Sequence, residues 1–280
     1  FPTEVFTLSA WVKLNQPFGN AAIIARGEDD NSNDLSWQLY VTPSGEIEIM
    51  IEDAGAENYC YPYNDCVSMG SCIINGELFI ADNTWHHVAV TRDWSGTLLM
   101  YIDGELRASC NGTGIPSSDN YQDLSIGCTF GYIGPPPGGI EPPIWFFPGN
   151  IDEPTIWNIT LSHEQIVALF ISNININSSE LIGYWTFDES VGQIVSDLSL
   201  AGNNGYLGNS PEIDNSDPLW DFIIQGDING DDSVDILDVV MLVNYILSGD
   251  TSELDGADIN NDGEVNILDI VALVNIILSS

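Results

Sequence analysis

The stretch DINGDDSVDILD at residues 227–238 returns 31 residues later as DINNDGEVNILD at 258–269. Laying 227–248 over 258–279 gives 15 identities in 22 positions, so the segment is an internal duplication. In each copy, loop positions 1, 3, 5, 9 and 12 carry a side-chain oxygen. These are Asp227, Asn229, Asp231, Asp235 and Asp238 in the first copy, then Asp258, Asn260, Asp262, Asn266 and Asp269 in the second. Position 7, Ser233 and Glu264, offers its main-chain carbonyl. A hard cation that takes roughly six to eight oxygens at ~2.3–2.6 Å needs ligands at this alternating spacing. The repeats therefore read as two calcium (Ca2+) loops, each followed by an aliphatic helix.

The charge balance narrows the partners. The chain carries 42 Asp and Glu against Lys13, Arg26, Arg92 and Arg107, and no Lys or Arg follows Arg107. Such a surface does not neutralise phosphates, which excludes nucleic acid, and anionic membranes repel it. The aliphatic runs VVMLVNYIL and IVALVNIIL are about half the ~20 residues of a spanning helix, so no membrane insertion is expected. Phe1 opens directly onto strand-like sequence, the expectation for a mature or trimmed chain.

From Phe1 to about Glu212, short β-type runs alternate with Gly, Pro, Asn and Asp. Period-2 alternation with turn signals every 8–12 residues predicts an antiparallel sandwich. IDGEL at 102–106 holds the Asp-Gly pair of a tight hairpin. Ser162 is placed to N-cap a short helix over 162–170. The segments FTLSAWVKL, NTWHHVAVTRD, LLMYIDGEL, FPGNIDEPTIWNITLSHEQI and LIGYWTFDES, in this order, resemble the signatures of laminin G-like, concanavalin A-type jelly rolls. The resemblance implies two curved sheets packed face to face. Members usually have another strand ahead of FTLSAWV. Its absence implies an open sheet edge, to be filled by the YWTFDES…NNGYLG segment or by a neighbouring molecule.

Five cysteines, Cys60, Cys66, Cys72, Cys110 and Cys128, lie in the first half without metal-type spacing. They predict a disulfide-bearing extracellular chain with one cysteine left over. Cys110 with Cys128 is the preferred pair, because both end β-like segments. The insert GPPPGGIEPPIWFF at 134–147 offers Trp145 and Phe146 as ligand-binding aromatics that would stack on sugar rings. The alternative is that Phe147 and one neighbour begin the next strand and face the core. Asp29, Asp30, Asn31 and Asp34 in GEDDNSND are candidates for a further calcium ion in the jelly roll, against the default of a solvated turn. No nucleophile or phosphate motif is present. Asp152, Glu153, His86 and His87 read as structural, so no enzyme is expected.

The tail, as loop-helix units without a preceding helix and with Asp at position 12, resembles the type I dockerin module over 226–280. The resemblance implies a small calcium-folded domain that plugs into a cohesin-type partner. Family contact positions fall on Ile236, Leu237, Val243, Ile267, Leu268 and Val274, where basic pairs are common in the family and this chain has none. Between Ile236 and Leu247 only Asp238 and Asn244 are strongly polar, so the helices need a cover on more than one side.

The expected chain is thus mainly β. A jelly-roll sandwich spans 1–212, a linker 213–225, and a small α domain of two calcium loop-helix repeats 226–280. The expected function is a non-catalytic, secreted or cell-surface module of the adhesion or carbohydrate-binding type, attached through its tail to a cohesin-like protein. The alternative is a structural subunit whose tail meets copies of itself in a filament, matrix or surface layer.

Overall fold

Strand β1 (Phe6–Leu14) carries the alternation that organises the first half of the chain. Its even-numbered residues Phe6, Leu8, Ala10, Val12 and Leu14 are all buried. Successive side chains of a strand point to opposite faces, so this set lines one face. A computed structural model describes residues 4–26, 37–51, 72–74, 79–110, 124–130, 143–189, 191–208, 212–213, 217–220, 225–229, 233–248, 256–260 and 262–279. The chain divides into two compact units, Phe1–Pro218 and Leu219–Ser280.

In the first unit β1 lies inside a seven-stranded antiparallel sheet. The order is β13 (Leu181–Tyr184), β12 (Gly149–Trp157), β1, β6 (His86–Arg92), β7 (Leu98–Ile102), β8 (Glu105–Cys110) and β5 (Cys72–Ile74). A four-stranded sheet runs β4 (Ile47–Ile51), β3 (Trp37–Val41), β2 (Ala21–Arg26), β9 (Leu124–Ile126). Two short ribbons pair β10 (Thr129–Phe130) with β11 (Pro143–Ile144) and β14 (Ile194–Val195) with β15 (Gly205–Tyr206). The sheets pack face to face, with the Phe6 and Trp37 rings 5.7 Å apart between them. This is the antiparallel sandwich expected from the alternation, and its two facing sheets are those the jelly-roll resemblance implies. β7 and β8 meet at Asp103 and Gly104, both at positive φ (54° and 77°), as the Asp-Gly hairpin requires.

The outer face of the larger sheet is covered rather than solvated. Helix α1 (His163–Phe170) starts at Ser162, whose Oγ accepts from Gln165 N while Gln165 Oε1 accepts from Ser162 N, a capping box. Its Ile166 and Leu169 pack with Ala89, Tyr101, Trp157, Leu181 and Tyr184. Phe170 stacks on Trp11 at 5.6 Å. The edge beside β12 is β13, which ends where the YWTFDES segment begins. Asp197 pins the following turn by accepting from the N–H groups of Tyr184, Ser199 and Asn203 at 2.7–2.9 Å.

The second unit holds α2 (Ile236–Ser248) and α3 (Ile267–Ser279), one after each repeat loop. Leu242 and Leu273, equivalent in the duplication, are fully buried against Ile228, Ala257 and Ile259. Among the described residues no helix is long and apolar enough to cross a membrane.

Candidate functional site

The two repeat loops close in the same way. Asp238, at loop position 12, is fully buried; its Oδ1 accepts from Ile228 N and Asn229 N at 2.8 and 3.1 Å, and its Oδ2 from Asp235 N at 2.7 Å. Asp269 is also fully buried and repeats the set with Ile259 N, Asn260 N and Asn266 N at 2.9, 3.2 and 2.8 Å. The shorter Asp at this position thus ties the loop start to the residue just ahead of its own helix. In the second loop, Asp258 takes the N–H of Asp262 and Gly263, and Asp262 takes that of Glu264. Gly263 stands at loop position 6 with φ +85°, where the chain must turn sharply. Asp231 lies outside the described residues, so the first loop is described at Asp227, Asn229, Ser233, Asp235 and Asp238.

The chemistry of this donor set fits a hard divalent cation. Between Leu219 and Ser280 there are 13 Asp and Glu and no Lys, Arg or His. A buried carboxylate without a positive partner is costly, and here no side chain of the unit supplies one. All the candidate ligands are oxygens, as calcium prefers and zinc does not. Among the described residues no three His, Cys, Asp or Glu side chains make a cage by themselves. The ligand set would draw on Asn229, Asn260 and Asn266 and on main-chain carbonyls as well.

In the first unit the aromatic insert is split between two environments. Trp145 packs against the buried Tyr40 and Met50, with its ring 5.5 Å from that of Tyr40, and its carbonyl accepts from Ala22 N at 2.8 Å. Phe146 is exposed. Phe147 precedes β12 rather than starting it. Two aromatics that pattern reading passed over join Phe146 at the same end of the sandwich. Phe18 is fully exposed in the loop from β1 to β2, and Phe79 is half exposed beside the turn after β3. Strand register places them there: Leu14 pairs with Gly149, Ala21 with Val41, and Glu46 with Phe79. The signal for Phe18 was its position in the turn sequence QPFGN, where an aromatic has no alternating neighbour to bury it.

Comparison with known proteins now decides the family. Residues 1–167 match the concanavalin A-like lectin/glucanases superfamily, and residues 225–278 match the dockerin type I domain. The chain belongs to the concanavalin A-like superfamily. It carries a type I dockerin domain at its C-terminal end. No protein with a curated description matches. Among solved structures, a Bacteroides ovatus protein described as carbohydrate-binding is 18% identical with a TM-score of 0.48; the match covers 73% of this chain and 52% of that one. The sialidase CBM40 of Ruminococcus gnavus is 17% identical, TM-score 0.44, covering 60% of this chain and 84% of that one. A heptameric pentraxin of Limulus polyphemus is 16% identical, TM-score 0.37, covering 64% and 73%. The chain therefore spans about half the length of the Bacteroides ovatus protein.

Two clusters of titratable groups bear on the histidines and carboxylates of the concanavalin A-like unit singled out above. His86 Nδ1 lies 2.8 Å from Asp103 Oδ2 and its Nε2 3.3 Å from Asp82 Oδ1, and the Asp103 hydrogen bond raises its pKa. His87 points to the other face, where its ring packs against both Trp11 and Phe170. Burial pushes its pKa down to about 4, so it is neutral. Asp152 and Glu153 sit at a bulge where β12 carries one residue more than β1, with Glu153 at φ 45°. Burial raises the Asp152 carboxyl to about 6, with Glu153 and Asp188 adding to it. Glu153 instead accepts from Ser172 Oγ and Tyr184 Oη, both at 3.2 Å.

The preferred cysteine pair is overturned. Cys110 is disulfide-bonded, and Cys128 is a free thiol. Cys110 ends β8, on the larger sheet, whereas Cys128 follows β9 at the edge of the smaller one. Ending a β-like segment says nothing about which sheet that segment joins. The acidic stretch with Asp29, Asp30, Asn31 and Asp34, like Cys60 and Cys66, lies outside the described residues.

Proposed function

We propose that this chain is a non-catalytic, extracellular calcium-binding protein. Its jelly roll binds a carbohydrate or similar surface ligand, and its dockerin domain attaches it to a cohesin-like partner. The observation that carries the reading is the pair of buried carboxylates, Asp238 and Asp269, closing equivalent loops in a unit without a single cation. Two calcium ions held by Asp227, Asn229, Asp231, Ser233, Asp235 and Asp238, and by Asp258, Asn260, Asp262, Glu264, Asn266 and Asp269, would supply the missing positive charge. Metal binding of this kind is folding free energy for a small domain.

The ligand role draws support from the exposed Phe18, Phe79 and Phe146 gathered at one end of a lectin-type sandwich. Loops at the end of a rigid sandwich are a usual place for binding residues, and aromatic faces stack on sugar rings. Calorimetry of the calcium-loaded chain with a cohesin-type domain, and a glycan array read with wild type and with Phe146→Ala plus Phe18→Ala, test the two halves. Calcium-dependent docking and a glycan signal lost in the variant are expected. No docking in calcium, or a blank array, sinks the corresponding half.

A further inference from the structure

The two dockerin helices bury one apolar stripe and leave a second one in solvent. Val239, Leu242 and Ile246 of α2, with Ile270, Leu273 and Ile277 of α3, form the shared core. The opposite stripe has matched exposure in the two copies: Leu237 and Leu268 at 57% and 56%, Val240 and Val271 at 53% and 54%, Leu247 and Leu278 at 79% and 80%. Ile236 and Ile267 extend it at the loop ends. Neither helix has an exposed charged side chain, since Asp238 and Asp269 are both buried. The exposed polar side chains on the described helices, Asn244, Ser248 and Asn275, are all uncharged, and the unit has no cation to pair.

Charge enters only at the rim, and with one sign. Asp235 caps the start of α2 by accepting from Leu237 N at 2.7 Å, which sets its carboxylate directly beside the exposed Ile236 and Leu237. In the second copy the cap is the neutral Asn266, accepting from Leu268 N at 2.8 Å, while the exposed Asp262 and Glu264 lie just ahead of it. Two divalent ions would offset only four of the 13 acidic charges of the unit. A second copy would therefore bring like-charged rims together while burying its apolar centre, and like charges facing each other oppose association.

We infer that the exposed aliphatic stripes of α2 and α3 dock a protein surface that is apolar at its centre and lined by Lys or Arg at its rim, and not a second copy of this chain. This rests on the docking reading above and names its partner by chemistry. The apolar centre supplies the affinity that truncation would remove; the basic rim selects the partner and speeds encounter.

The test uses the full chain in calcium and two synthetic amphipathic helical peptides, each with a leucine face, one flanked by Lys and the other by Glu. Calorimetry should show binding of the Leu/Lys peptide only, weakening by about tenfold or more as salt rises from low to high ionic strength. Leu237→Asp with Leu268→Asp makes the protein more acidic, yet should lose about tenfold or more. Leu247→Asp with Leu278→Asp is the second pair, and unchanged helical circular dichroism verifies folding in both. Equal binding by the folded variants means bare electrostatic attraction and overturns the proposal, as does equal binding of the Leu/Glu peptide. A dimer of the wild-type chain in light scattering, dissolved by the same substitutions, makes a second copy the occupant and also overturns it. A cohesin-type domain that docks in calcium with no salt dependence leaves the docking reading standing and overturns only this inference.

Discussion

The Asp103 carboxylate serves two adjacent histidines at once: its Oδ2 lies 2.8 Å from His86 Nδ1, and its Oδ1 accepts the main-chain N–H of His87 at 3.0 Å. The pKa values of the two imidazoles nevertheless shift in opposite directions. His86 has a raised pKa, so its stabilisation is complete below the ordinary value of 6.5 and is lost as pH rises through the raised one. His87 has a pKa lowered to about 4 from 6.5, so its contribution is present above 6.5 and is lost as pH falls toward 4. Histidine NMR titration should show one imidazole turning over above 6.5 and one near 4. Asp103→Asn should bring the first back toward the ordinary value; two coincident titrations would refute the assignment.

Asp152 stores an electrostatic cost. Its carboxyl is raised from 3.8 to about 6 by burial, then by Glu153 and Asp188, so stability declines as pH rises through about 6. Asp152→Asn keeps the oxygen that accepts from Glu153 N and removes the charge. After allowance for partial solvent screening, it should stabilise the unit by about 1 kcal/mol at pH 7 and by nothing near pH 3. Urea unfolding followed by tryptophan fluorescence measures this, because seven of the eight tryptophans lie before Leu219.

The Cys128 thiol should be slow to react in the native chain. Burial raises its pKa to about 11, so about one molecule in a thousand carries the thiolate at pH 8. Iodoacetamide without reductant should label Cys128 only after denaturation, and should leave Cys110 unlabelled in both states. Rapid native labelling of Cys128 in peptide mass spectra would contradict its burial.

Chelation should remove helical signal from the tail while the jelly roll persists. Asp238 and Asp269 each hold three main-chain N–H groups while buried. With the cations gone, the unpaired negative charge acts against the folded loops. Asp269→Ala should weaken calcium binding by about tenfold or more and lower helicity at limiting calcium. Circular dichroism at 222 nm unchanged by excess chelator would refute the calcium assignment.

Local features were legible because their determinants lie within a few residues of each other. The Ser162–Gln165 capping box, the Asp103–Gly104 turn and the duplicated loops all read directly, since each is a short-range hydrogen-bonding pattern. The faces of the smaller sheet were less legible. WQLYV and IEIMI alternate as expected, yet Gln38, Tyr40 and Glu48 on the polar face are buried along with the rest. Tyr40 Oη donates to Glu48 at 2.5 Å, which lets that face leave water despite the burial that raises the Glu48 pKa. Alternation reports which residues share a face and is silent on what covers it.

By itself the sequence determined the sandwich class, the repeat and its all-oxygen donor set, because periodicity, turn residues and ligand spacing are properties of neighbouring positions. Only the tertiary structure decided that Cys110 and Cys128 part company and that His86 and His87 titrate apart. It also brought Phe18, Phe79 and Phe146 to one end of the sandwich. Those outcomes depend on which strands pair and which faces are covered. Such contacts join residues dozens of positions apart, and no local pattern records them.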